Sequence, residues 1–260
     1  MTSFAGGALT LTVDGEVATL AFDRPAKRNA ISLAMWRALP VACADFAGSN
    51  AKVLIVTGRG GHFAAGADIS EFEAVYATPQ SAADYNAAVA AGVGAIAGLE
   101  KPVLAAIEGA CVGGGLAIAL ACDLRIAAPD ARLAITPAKL GLTYSLEDTK
   151  RLVDAVGASA ARDILFTGRL LGAEEALRQR LVDAVEADIP VAAITKAAEI
   201  AAVSQRSVRA IKATIGAILA GAVEDDAATR AAFVASVSAP DFIEGRSAFL
   251  EKRKPVFPEK

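Results

Sequence analysis

Residues Lys101 to Asp123 read KPVLAAIEGACVGGGLAIALACD. Val103 to Ile107 is a short apolar run, Gly113, Gly114 and Gly115 are consecutive, and an alanine-rich apolar run extends from Leu116 to Cys122. A brief apolar run that ends in glycines before a longer one is the pattern of a buried strand feeding a core helix. The spacing therefore predicts a strand over 103–107, a turn at the glycines and a helix over 116–122. Without a Cβ, glycine lets a ligand atom come up against the main chain, and the first N–H groups of a helix have no acceptor inside it. Such a helix start favours negative charge. Close helix packing accounts for one or two glycines better than for three. The run 103–122 approaches a membrane span in length, but Glu108 and the glycines interrupt it, so it reads as buried core.

Toward the amino terminus, Val53 to Gly58 (VLIVTG) is a second β-branched apolar run, followed by the loop RGGHFAAGAD and a new helix from Asp68. If the two strands are parallel neighbours, both loops open at one edge of the sheet, where α/β folds bind ligands. Main-chain donors from two loops would then meet, an arrangement suited to a carbonyl oxygen that becomes an anion.

Farther out, Leu9 to Val13 and Val17 to Phe22 flank Asp14-Gly15-Glu16 and read as a hairpin. The loop DRPAKRN carries Arg24, Lys27 and Arg28 ahead of a helix that opens near Ser32. Ile69, Phe72 and Val75 stand at helical spacing, and a helix rich in small residues ends near Leu99, before Lys101-Pro102. Tyr76, Tyr85 and Asn86 on this segment read first as packing residues, and His62 as a solvent-facing loop residue. Strands follow at 124–128 and 131–135. Ser145 with Asp148 three residues on reads as a helix N-cap, with Glu147 and Asp148 in the first turn. Beyond Leu152 the pattern is helical, around 158–166, 172–178 and 191–203, with Gly168 and Gly172 as breaks. Glu224, Asp225 and Asp226 fit a helix start or a solvated turn.

The bulk properties narrow the possibilities. A chain of 260 residues suits one large domain with an appendage. Its 54% hydrophobic content with only 5% aromatics calls for a core of Ala, Val, Leu and Ile. With 26 basic against 29 acidic residues, there is no electrostatic footprint for duplex nucleic acid or an anionic membrane. Three cysteines (Cys43, Cys111, Cys122) suit reduced thiols in a cytoplasmic protein better than a disulfide framework. One histidine and no CxxC leave no metal cluster in view, and the opening MTSFAGGALT lacks the basic and apolar regions of a secretory signal.

FAAGADISEF (Phe63 to Phe72) and AAIEGACVGGGLAIALACDLRIA (Ala105 to Ala127) together resemble the crotonase, or enoyl-CoA hydratase/isomerase, superfamily. FDRPAKRNAIS (Phe22 to Ser32) is similar to its first signature and FIEGRSAFLEKRKPVF (Phe242 to Phe257) to its last. The resemblance implies an α/β fold, a crotonase-type spiral of ββα units with a carboxy-terminal helical appendage. It divides the chain into a core with an acyl-CoA site, 1–206, and a helical oligomerisation or lid region, 207–260, and it implies a homotrimer or a dimer of trimers. It implies a coenzyme A thioester as substrate, with no further cofactor, and an oxyanion hole made by the amides of Ala67 and Gly114. Lys27 and Arg28, with Ala65, Asp68 and Ile69, become candidates to contact coenzyme A, although three charges in a loop also fit a solvated turn. Lys252, Arg253 and Lys254 could meet its phosphates or form a solvated tail. The phenylalanines of the last segment, Phe233, Phe242, Phe249 and Phe257, would pack on a neighbouring subunit or on the chain's own site.

Two departures from the family pattern bear on the chemistry. Hydration needs an activated water and a proton for the α-carbon, and the family supplies two glutamates for these. Their positions are occupied here by Ala117 and Ala138. An anion-stabilising pocket without a base suits a substrate that makes its own carbanion, as loss of CO₂ from a malonyl-type thioester does. Thr136-Pro137-Ala138-Lys139-Leu140-Gly141, with Tyr144 beyond, resembles methylmalonyl-CoA decarboxylase more than hydratases. By that similarity Tyr144 orients the departing carboxylate or protonates the enolate; read by itself, it is equally a wall residue hydrogen-bonded to backbone. The decarboxylase carries histidine where this chain has Ala67, so only the main-chain role transfers there. Two alternatives stand beside this reading: a hydratase or isomerase that recruits Glu147, Asp148, Glu71 or Glu108, and a non-catalytic acyl-CoA binder.

Overall fold

In the structure, a computed structural model that describes residues 1–257, the apolar runs become strands of one large sheet. In chain order the elements are β1 (Thr2–Phe4), β2 (Leu9–Asp14), β3 (Val17–Phe22), α1 (Leu33–Ala47), β4 (Val53–Gly58), α2 (Phe72–Val75), α3 (Pro79–Ala97), β5 (Val103–Ile107), β6 (Ala110–Val112) and α4 (Gly114–Ala121). There follow β7 (Leu124–Ala127), β8 (Arg132–Ala134), α5 (Leu146–Thr167), β9 (Leu171–Gly172), α6 (Ala173–Arg178), β10 (Ala184–Val185), α7 (Ile189–Ala201), α8 (Gln205–Leu219), α9 (Ala227–Ser236) and α10 (Pro240–Glu251). The expected division at 206/207 runs through α8, and the final three residues of the expected appendage lie outside the described residues.

The large sheet has the order β1-β2-β3-β4-β5-β7-β10. The hairpin β2–β3 is antiparallel, and from β3 through β10 the neighbours are parallel. Alternation along β4 and β5 explains why both faces are dry. Leu54, Val56, Val103 and Ala105 belong to the core shared with α1, α3 and α4, whereas Val53, Ile55, Leu104 and Ala106 pack on Ile189, Ala193 and Ala197 of α7. A strand covered on both sides reads as a continuous apolar run, which is what 53–56 and 103–107 are.

A second sheet, β6-β8-β9, was not expected. Of its strands β8 falls within the expected run 131–135, whereas β6 and β9 are three and two residues long, too short to show alternation, and the same holds for β1 and β10. Strand β6 occupies the segment between the β5 strand and the glycines, where the sequence suggested only a turn. It pairs in parallel with β8, Cys111 opposite Leu133. Helix α4 accordingly starts at Gly114, two residues earlier than the apolar run suggested.

Helix α1 contains Pro40, whose ring nitrogen cannot donate to the carbonyl of Trp36 one turn back. Gly92 of α3 sits against that same spot: a Cβ there would lie 3.1 Å from Trp36 O and 3.1 Å from its Cε3. The two helices thus close tightly around Trp36, which is fully buried.

Candidate active site

Two loops meet above the carboxyl ends of β4 and β5. The first, after β4, is held by main-chain bonds on both sides: Phe63 N donates to Glu108 O (2.8 Å), Ala64 N to Ala110 O (2.9 Å) and Val112 N to Ala64 O (2.9 Å). On its other side Ile31 N donates to Gly66 O (2.7 Å) and Asp68 N to Ile31 O (2.9 Å). His62 takes part, its Nδ1 accepting from Ala110 N at 3.2 Å, and is half-buried, so the expectation of a solvent-facing loop residue is corrected.

Each of the candidate donor amides follows a glycine with positive φ. Gly66 has φ +101°, and Gly113 has φ +53° with ψ −116°, a region closed to other residues. The other two glycines of the triplet are explained by close approach. A Cβ at Gly114 would fall 2.8 Å from Trp36 Cζ2, and one at Gly115 would fall 2.4 Å from Ala64 O. The same construction shows how near the loops are. A Cβ at Gly114 would be 3.9 Å from Ala67 N, and one at Gly66 would be 3.8 Å from Gly114 N. Among the described residues, neither Ala67 N nor Gly114 N has a backbone acceptor.

Ala67 and Gly114 both line a cavity of about 570 Å³. Ala65, Ile69 and Tyr144 line it as well, as does Ala117, and Tyr76, Tyr85 and Asn86 do so beyond the packing role first expected of them. Ala138 is exposed and outside the lining. No residue of α8, α9 or α10 contributes to this cavity among the described residues, so the phenylalanine-rich arm does not pack on the chain's own site.

Tyr144 differs from the wall residue bonded to backbone. Its hydroxyl is buried and, among the described residues, has no hydrogen-bond partner; burial pushes its pKa up. Burial likewise pushes Tyr85 up to about 12. Of the four substitute carboxylates, Glu71 accepts from Leu33 N at 2.7 Å at the start of α1, and Glu108 is outside the lining. Asp148 lines the cavity but is taken: it accepts from Arg151 Nη1 (2.8 Å) and from Ser145 Oγ (2.7 Å), whose oxygen in turn caps Asp148 N (3.1 Å). Glu147 is at the rim, with its side chain 71% exposed and 3.7 Å from Arg151.

The basic loop is engaged with the loop after β4. Arg24 Nη2 and Lys27 Nζ each donate to Asp68 Oδ2 at 2.9 Å, Lys27 also to Ser70 Oγ at 3.2 Å. Burial would raise the Asp68 carboxyl, but hydrogen bonds from Ser70, Lys27 and Arg24 outweigh it and hold the group well below the usual carboxylate range. Arg28 has an exposed side chain and a left-handed backbone, φ +48°, and its carbonyl accepts from Ala65 N at 2.9 Å. In the terminal cluster Arg253 is paired with Glu244 and Glu251.

Lining residues that the sequence did not single out include Trp36 and Arg151. Thr136, which opens the Pro137-Ala138 motif, lines the cavity as well, and Arg151 is one turn into α5 from Glu147, so Glu147 was the available signal for it. Trp36 carried none, being a helical apolar position like its neighbours. A larger groove of about 1040 Å³ separates α8 from the core. Among the described residues no group of three His, Cys, Asp or Glu side chains could hold a metal ion, and no helix is long and apolar enough to cross a membrane.

Comparison with known proteins agrees with this architecture. The enoyl-CoA hydratase/isomerase family model matches residues 12–260. YngF of Bacillus subtilis, named for the same family, is 34% identical over 97% of this chain and 98% of its own. The crystal structure of an enoyl-CoA hydratase/isomerase family protein from Hyphomonas neptunium superimposes with a TM-score of 0.95 at 42% identity, covering 97% of this chain and 98% of the other. That of an enoyl-CoA hydratase/carnithine racemase from Magnetospirillum magneticum does so with a TM-score of 0.92 at 33% identity, covering 97% and 96%. By sequence over almost its whole length and by the fold that carries its two glycine-flanked loops, the chain belongs to the enoyl-CoA hydratase/isomerase family, the crotonase superfamily.

Proposed function

We propose that the protein binds an acyl-CoA thioester, that the amides of Ala67 and Gly114 stabilise its enolate, and that it decarboxylates a malonyl-type substrate. The observation that carries this reading is the cavity itself. It is lined by two nearby amides that have no backbone acceptor among the described residues, by an alanine at position 117 and by Tyr144, whose buried hydroxyl has no hydrogen-bond partner among them. In the step envisaged, the bond from the α-carbon to the carboxylate breaks and its electron pair moves toward the thioester oxygen. CO₂ departs, and the α-carbon then takes a proton from Tyr144 or from water. Donors fixed in advance lower the barrier because they need no reorganisation as charge develops. An apolar surround disfavours the carboxylate more than neutral CO₂. No cofactor beyond the coenzyme A of the substrate is called for.

Lys27, Arg28, Ala65, Asp68 and Ile69 are proposed to border the coenzyme A, Ile69 from the cavity mouth, where it is largely exposed. The three cysteines are free and buried, which suits a reducing, cytoplasmic compartment.

Mass spectrometry of products from a panel of malonyl-type and enoyl-CoA esters tests the reading. Products one CO₂ lighter are expected from the malonyl-type esters alone, with turnover lowered roughly a hundredfold in Tyr144→Phe. Failure of every malonyl-type ester overturns it.

One observation favours a second reading, a hydratase or isomerase. Glu147 lies on the cavity rim and is held only by a long ion pair. Hydration of an enoyl ester that disappears in Glu147→Gln would establish that route instead.

A further inference from the structure

The sequence holds three tyrosines and one tryptophan, and all four line the acyl cavity. Phe72 joins them in the lining, while Phe22, Phe46 and Phe63 are buried elsewhere in the core. The rings are ordered. Phe72 meets Tyr76 edge-to-face at 5.0 Å between centroids, and Tyr76 meets Tyr85 edge-to-face at 5.5 Å. Trp36, its Cζ2 against Gly114, and Tyr85 are buried and back the wall, so Phe72, Tyr76 and Tyr144, each half-buried, are the rings that keep surface for a guest.

We infer that the acyl group this cavity takes carries a planar aryl ring on its α-carbon rather than a saturated chain. The inference rests on the acyl-CoA reading above and adds the substrate class to it. An array of edges and faces offers a flat guest the offset and edge-to-face contacts that aromatic pairs prefer, and offers an alkyl chain only its area. Conjugation serves the chemistry too, because a ring beside the α-carbon spreads the enolate charge in a site where no glutamate occupies position 117.

The site supplies its own reporter, since Trp36 is the sole tryptophan and lies in the lining. Trp36 fluorescence is followed while the protein is titrated with phenylacetyl-CoA, hexanoyl-CoA, octanoyl-CoA and acetyl-CoA. None of these esters carries a carboxylate to lose, so binding is read apart from decarboxylation. The phenylacetyl ester should bind roughly threefold to tenfold more tightly than either longer alkyl ester. In Tyr76→Leu, a change at the half-buried ring, that preference should fall to about one, whereas Tyr76→Phe should keep it. Equal or tighter binding of an alkyl ester to the unaltered protein overturns the inference, as does a preference that survives Tyr76→Leu. A protein that responds to none of the four esters overturns the acyl-CoA reading and this inference with it. Tight aryl binding with no CO₂ release from any malonyl-type ester would sink decarboxylation alone.

Discussion

Asp68 fastens the two amino-terminal loops together. Its carboxylate is buried, while Arg24 and Lys27 come to it from the loop that follows β3. Removing the charge leaves two cations without their partner, one of them 48% exposed and partly compensated by water. Asp68→Asn should therefore cost about 2–3 kcal/mol at neutral pH, below the full figure for a deeply buried pair. Denaturant titration measures it. The pH dependence has a definite sign. The folded carboxyl titrates lower than the unfolded one, so its contribution is complete above about pH 4 and fades as the pH drops toward the folded value. The gap between wild type and Asp68→Asn should accordingly shrink on acidification from pH 4. At this scale the sequence disclosed what has a local signature. Ser145 was readable as a cap and accepts the expected amide, and the helix expected to open near Ser32 starts at Leu33. It did not disclose His62 Nδ1 bonding Ala110, a contact across 48 residues for which no local pattern exists.

Among elements, Lys212 ties α8 to the sheet. Lys212 Nζ donates to Asp123 Oδ2 (2.7 Å) and to Lys101 O (3.1 Å), and the same carboxylate oxygen accepts from Val103 N (2.7 Å). This side chain joins α8 to the entrance of β5 and the exit of α4, so cutting it should loosen the helix. Lys212→Ala should speed amide exchange in α8 by about tenfold, corresponding to roughly 1–1.5 kcal/mol of local stability, while β4 and β5 keep their protection. Hydrogen exchange with mass detection reads both at once. Strands β2 to β5 and β7 were legible because their apolar runs are long enough to carry a pattern. Strands β6 and β9 were not, because two or three residues pair only when a neighbour from elsewhere is already in place.

For the whole molecule, the carboxy-terminal helices leave a large apolar surface. Phe233 is 73% exposed, Phe249 83%, and Ile211, Ile215 and Ile218 of α8 more than half. A surface of this kind marks an interaction site. The proposed homotrimer or dimer of trimers would cover it. Light scattering on the eluting protein should give three or six times the 26.4 kDa of one chain, and Phe233→Glu with Phe249→Glu should lower that number. A monomer at micromolar concentration would refute the proposal. Sequence similarity named the partner as another copy, but spacing alone shows only that such a face wants a cover.

Pro40 and Gly92 have a consequence for how the enzyme could be remodelled. Since Trp36 is clasped by a helix that cannot complete its bonding at that turn and by a neighbour with no side chain to retract, its indole is masonry. The less buried lining residues, Ile69 at the mouth and Tyr76, are furniture. Laboratory selection for bulkier guests should therefore collect its changes among the latter and leave position 36 as it stands.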